Sequence, residues 1–147
     1  MKLLIQKVKQ ASVSVGNKVV GNVDAGMLIY LGVVKGDAKE DVDYLVDKII
    51  SLRIFADSEN KMNIAAKDCA AEFLVVSQFT LCGTCNKGNR PSFDAAANPK
   101  EAEELYEYFV SKLKSQNFTV TTGSFGAYMQ VSSINDGPVT FILESKR

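Results

Sequence analysis

Two continuous apolar runs constrain this chain more than any other feature: MLIYLGVV at residues 27 to 34 and FLVVSQFTL at residues 73 to 81. Neither alternates between polar and apolar positions through its core, so each reads as a strand buried on both faces. A sheet built around such strands needs apolar cover above and below. The rest of the chain has to supply that cover.

Part of it is helical. Val42, Leu45, Val46, Ile49 and Ile50 recur at the three-and-four spacing of an amphipathic helix, which runs from a capping box of Asp37 and Glu40 to about Arg53. Its polar side, with Glu40, Asp43, Asp47 and Lys48, reads as a solvated face. Asn98 as cap, Pro99 at the first helical position and Glu101 three residues after the cap open a second helix, ending near Asn117. Its apolar stripe is Ala102, Leu105, Phe109, Val110 and Leu113. The remaining cover is strand-like: LLIQKV, SVSV and KVVGNV near the start, separated by Gly16-Asn17 and closed by Asp24-Ala25-Gly26, then FTVTTG, AYMQVSSI and PVTFILES towards the end. Many strands with two helices predict a strand-rich α+β fold, and 147 residues at 46% hydrophobic content suit one compact domain over residues 1–147.

Composition narrows the chemistry. The chain has no histidine, which removes the usual general base, the usual zinc ligand and the hub of a Ser/His/Asp triad. Seventeen basic and seventeen acidic residues cancel, so a nucleic-acid partner has to be met at a local patch and not through a general positive field. The opening MKLLIQKVKQ has too short an apolar run for a secretion signal, and no later run approaches a membrane span. These features predict a cytoplasmic protein without membrane association.

Cys82-Gly-Thr-Cys85 follows the second apolar run, where a redox pair could sit. What comes next, NKGNRP, cannot begin a sustained helix, so the dipole that would activate the first thiol is missing. Zinc is short of ligands with Cys69, Cys82 and Cys85 alone. Reduced cysteines in a loop and no bound metal are the expectation. The long irregular stretch CGTCNKGNRPSF is itself a candidate functional loop.

Four segments share an order and spacing: SQFTL at 77 to 81, KGNRPSF at 87 to 93, FGAYMQV at 125 to 131 and NDGPVT at 135 to 140. Alone, NDGPVT is a hairpin turn, and Thr80 is a β-branched residue pointing into a sheet. Together with the opening IQKVKQASVSV and the LRIF segment, they resemble the D-aminoacyl-tRNA deacylases, the DTD family, from about Lys2 to Ser145. The resemblance implies a layered, mostly antiparallel sheet with two main helices packed on it. It also implies a homodimer without a cofactor that hydrolyses the ester of D-aminoacyl-tRNA and removes glycine from mischarged tRNA. A relative tuned to L-alanine departs in the SQFT and Gly-Pro segments, which this chain keeps in the D-specific form.

By that resemblance Ser77, Gln78, Phe79 and Thr80 form the catalytic wall. An aminoacyl ester is already activated, so a positioned water and backbone donors near Phe79 and Thr80 can suffice without a histidine. The resemblance reads Gly137-Pro138 as a cis peptide entering the partner subunit's pocket and rejecting L side chains. It places the terminal adenosine of the tRNA against Phe125, Gly126 and Met129, with Phe79 as a further aromatic surface. Lys7 stands where many members carry Arg, beside the Gly-Pro turn. Lys87 and Arg90 are candidates for phosphate contacts. The competing readings are a thiol redox protein and a non-catalytic nucleic-acid-binding module.

Overall fold

The computed structural model describes residues 1–145, so the last two positions of the expected domain lie outside the described residues. Strands β1 (Lys2–Val15), β2 (Lys18–Val23) and β3 (Gly26–Gly32) come first, followed by helix α1 (Lys39–Ser51). A small antiparallel pair, β4 (Phe55–Ala56) and β5 (Met62–Ile64), precedes β6 (Glu72–Ser77). Helix α2 (Pro99–Ser115), β7 (Val120–Thr122) and β8 (Met129–Glu144) complete the chain. The main sheet runs β2-β1-β3-β6-β7, with β8 also pairing with β1. β1 is antiparallel to β2, β3 and β8, whereas β6 lies parallel to β3 and β7. The class is α+β, with two helices on a mostly antiparallel sheet.

The two apolar runs take the centre of that sheet. Met27, Ile29 and Leu31 of β3 and Phe73 and Val75 of β6 enter one core with the apolar faces of α1 and α2. Leu28, Leu74 and Val76 point the other way, into a second core with Val8, Ala11, Val13 and Val23. Each strand therefore distributes its side chains between two apolar compartments, which is why neither run shows a polar period. No helix covers the second compartment among the described residues; strands close it. The first half of β1 pairs with β3 and the second half with β2, which carries β2 back towards β7. At the closest approach a Cβ on Gly21 would lie 2.6 Å from the Thr122 carbonyl oxygen, so only glycine fits there.

Several local expectations change. LLIQKV and SVSV are one strand, because β8 pairs with β1 from Lys2 to Val15 and carries the polar middle. AYMQVSSI from Met129 onward and PVTFILES as far as Glu144 likewise lie in a single β8, so NDGPVT is no hairpin turn: both flanks pair with β1, and the register shifts around Lys7. The run at 73 to 81 stops being strand at Ser77 and continues as a 3₁₀ turn, Phe79–Cys82, which takes Thr80 out of the sheet.

The first capping box is one residue later than expected. Asp41 accepts the Ala38 N–H at 2.8 Å, while Asp37 pairs with the Met1 amino group at 2.7 Å. Asp43 is not simply solvated: it accepts the Tyr108 hydroxyl at 3.0 Å and pairs with Lys112 at 3.0 Å, tying α1 to α2. The Lys112 hydrogen bond, with that from Tyr108, holds its carboxyl below the usual range. The second helix starts as read, with Asn98 Oδ1 accepting the Glu101 N–H at 3.0 Å.

Candidate active site

Ser77 closes β6, and the next N–H, from Gln78, still donates to Leu31 of β3 at 2.8 Å. The chain then leaves the sheet in the 3₁₀ turn, held by Leu81 N–H to Gln78 O at 3.3 Å and Gly83 N–H to Thr80 O at 3.0 Å. A helical turn leaves its first N–H groups without acceptors of its own. Those of Phe79 and Thr80 find none among the described residues, and both residues are exposed. The Gln78 side-chain amide donates to Thr80 Oγ1. Two free backbone donors thus stand side by side at the end of a rigid, buried strand.

The turn forms one wall of a mostly apolar cavity of about 750 Å³. That volume falls within the usual range for small-molecule sites. Ser77, Gln78, Phe79 and Thr80 line it together with Phe125, Gly126 and Met129. The opposite wall is fixed from below. The Phe125 ring lies 5.8 Å from that of Tyr106, whose hydroxyl donates to the Val75 carbonyl at 2.8 Å. Burial pushes the Tyr106 phenol up to about 12, so it stays a neutral donor through the physiological range. Gly126 has a φ of +75° in a tight turn closed by Ala127 N–H to Ser124 O at 3.1 Å. Met129 Sδ accepts the Ser124 N–H at 3.4 Å.

Lys7, Lys87, Arg90, Gly137 and Pro138 do not line this cavity. Lys87 and Arg90 are exposed in the irregular segment before α2. The Gly137–Pro138 peptide is cis, Gly137 has a φ of +124°, and both residues are exposed. They form a projection where β8 detaches from β1 opposite Lys7. Lys7 Nζ reaches Asp136 Oδ2 at 3.4 Å, so the lysine braces the projection through a carboxylate.

The larger brace is Asn135, which the sequence reading passed over as a turn residue. Its Nδ2 donates to the carbonyls of Lys7 and Val139, both at 3.0 Å, and its Oδ1 accepts the Thr140 hydroxyl at 3.2 Å. Nothing local signals this, because one of its partners lies 128 positions away in the chain.

The thiols do not make a redox pair of the activated kind. Cys82 is buried, with its Sγ donating to the Val33 carbonyl at 3.4 Å, and burial pushes its pKa up. Cys85 is exposed, and the chain beyond it enters an antiparallel bridge between Thr84 and Ser92 in place of a helix.

A substrate-sized cavity with Ser77, Gln78, Phe79 and Thr80 at a strand end along its wall, on an α+β scaffold without histidine, is suited to chemistry by positioning and hydrogen bonding. Residues 4–144 match the family model described as D-Tyr-tRNA(Tyr) deacylase. The chain belongs to that deacylase family and is a hydrolase. Among similar proteins, the D-aminoacyl-tRNA deacylase of Thermosipho africanus is 54% identical over 147 residues, covering 100% of this chain and 99% of the relative. That of Thermodesulfovibrio yellowstonii is 52% identical over 143 residues, covering 97% and 98% of the two chains. Of solved structures, one titled c-Myc DNA Unwinding Element Binding Protein is 38% identical, with a TM-score of 0.94 and 100% of both chains covered. A probable eukaryotic D-amino acid tRNA deacylase shares the fold at a TM-score of 0.84 and 18% identity, covering 97% of this chain and 98% of that one.

Proposed function

We propose that this protein, as one domain in the cytoplasm, hydrolyses the ester between a D-amino acid and the terminal ribose of tRNA, and spares the L ester. One observation carries the catalytic part: Phe79 and Thr80, which line the apolar cavity, have adjacent N–H groups that meet no acceptor among the described residues. Water adds to the ester carbonyl carbon, and the oxyanion that forms accepts from these two donors. The ester C–O bond then breaks. The ribose oxygen leaves with a proton from the attacking water, giving free D-amino acid and tRNA with its hydroxyl restored. A neighbouring ribose hydroxyl of the substrate helps to place the water, supplying what a histidine would do elsewhere.

Thr80 lines the site and is not a nucleophile in this scheme. Its Oγ1 already accepts from the Gln78 amide, and an amide is no base. The terminal adenosine lies against Phe125, Gly126 and Met129, beside the exposed ring of Phe79.

Gly137-Pro138 acts as the chiral filter of a homodimer, each projection entering the other subunit's cavity. Its support is geometric: the pair is exposed, held rigidly by Asn135 and Lys7, and absent from the cavity of its own chain. The carbonyls of the turn take the substrate amino group and leave no room for an L side chain. Glycine presents no side chain to reject, so glycyl-tRNA is cleaved as well. Lys87 and Arg90 contact acceptor-end phosphates.

Offering D-tyrosyl-, L-tyrosyl- and glycyl-tRNA side by side tests this reading. Release of the D and glycyl residues with the L ester left intact is expected; equal hydrolysis of both enantiomers overturns the filter.

A further inference from the structure

Of the large apolar side chains left in solvent, Tyr128 is the most exposed, at 87%. It immediately precedes β8, where burial alternates: Met129 and Val131 are partly covered, while Tyr128 and Gln130 face out. The ring makes no hydrogen bond or ring contact among the described residues. Yet Tyr128 belongs to the rim of the 750 Å³ cavity, next to Gly126 and Met129. The other exposed aromatic residues of that rim, Phe79 and Phe93, are engaged with each other edge to face, centroids 5.0 Å apart. Of the aromatic residues that line the cavity, Tyr128 is the one without a ring partner among the described residues. Nothing among the described residues covers that ring, which leaves it open to a planar partner.

Resting on the function proposed above, we propose that Tyr128 is a stacking platform for the nucleotide that precedes the terminal adenosine. The end of an acceptor strand is single-stranded, and unpaired bases stack on exposed aromatic rings with little sequence preference. A terminal adenosine seated within the cavity brings its 5′ neighbour out over the rim, where Tyr128 stands. The chain is electrically neutral overall, so affinity for the polynucleotide has to come from such local contacts and not from a general field. A phenol suits the position because its hydroxyl stays in water while the ring is covered.

The test compares three D-tyrosyl esters: of adenosine, of the dinucleotide cytidylyl-adenosine, and of full tRNA. For the wild type, kcat/KM rises from the adenosine ester to the dinucleotide ester. For Tyr128→Ala, the ratio of dinucleotide to adenosine kcat/KM falls about 5- to 150-fold, the span of one lost base–aromatic stack. Tyr128→Phe keeps the wild-type ratio. An equal loss on all three esters overturns the inference, since that is the signature of a misshapen cavity. So does a wild type indifferent to the added cytidine. A change of oligomeric state in Tyr128→Ala by sedimentation also overturns it, because the ring is then covered by a second copy. If wild-type protein cleaves none of the D esters, the proposed function itself fails, and that outcome is separate from a flat ratio.

Discussion

Gly137 combines a left-handed backbone with a close neighbour: at φ +124°, an added Cβ would lie 2.6 Å from Val139 Cγ2. Gly137→Ala is therefore expected to shift the projection, at a cost of about 1–3 kcal/mol borne locally in an exposed segment. Hydrolysis of D- and L-tyrosyl-tRNA, measured beside a thermal melt, should show D activity or enantiomer discrimination lost at least tenfold while the fold persists. Asn135→Ala removes both 3.0 Å bonds that tie the segment to β1 and to itself. With the bond from the Thr140 hydroxyl lost as well, we expect the same loss of discrimination, with destabilisation of about 1–3 kcal/mol in urea titration, from three unmade hydrogen bonds. Thr80 gives the opposite contrast. If its hydroxyl only lines the wall, Thr80→Ala keeps measurable turnover and no acyl-enzyme is trapped by rapid quench. Full loss in Thr80→Ala with rescue by Thr80→Ser, and a trapped ester, would establish a covalent route instead.

At the level of elements, β6 and α2 are coupled through Tyr106, whose hydroxyl donates to Val75 at the base of the site wall. Burial raises the phenol from 10.0 to about 12, so the unfolded chain releases this proton at lower pH than the folded one. The stability linked to Tyr106 is complete below pH 10 and is lost as pH rises from about 10 to about 12. A two-unit gap amounts to about 2–3 kcal/mol. Urea unfolding at pH 9 and pH 11.5 should show that decline in the wild type and a shallower one in Tyr106→Phe, which cannot ionise there. A parallel decline in both would remove Tyr106 as its cause.

The elements themselves were largely legible. The caps of α2 and the apolar stripes of both helices depend on neighbours three or four residues apart, and such signals lie within the sequence window that forms the element. The end of β6 was not legible. Residues 79 to 81 carry as many apolar side chains as a strand, but beyond Gln78 no strand pairs with them, and the backbone turns. The same non-locality hid the fusion of two segments into β8, whose continuity is imposed by β1.

For the molecule as a whole, the cavity and the Gly137-Pro138 projection occupy different places on one chain. A filter that works across a dimer predicts complementation. Gln78→Ala, altered in the cavity wall, and Gly137→Ala, altered in the projection, should each be weakly active as homodimers. Co-refolded, they form mixed dimers in which one intact cavity meets one intact projection, and activity should return towards half of the wild type per mixed dimer. Activity that stays at the average of the two variants would mean that the projection acts within its own chain or not at all. Sedimentation of the wild type supplies the companion check, with a dimer expected.

The sequence by itself determined that a two-faced sheet would need cover on both sides, that two amphipathic helices would supply part of it, and that catalysis would proceed without imidazole. It also carried, in SQFTL and NDGPVT, the segments that line the cavity and form the projection. Only the tertiary structure decided that the Phe79 and Thr80 N–H groups are free, that Asn135 clamps a segment to β1, and that Tyr128 stands bare at the rim. The reason is physical. Periodicity and capping are written in neighbours along the chain, whereas an unpaired donor, a long-range hydrogen bond or an uncovered ring is defined by which distant segments fail or manage to meet.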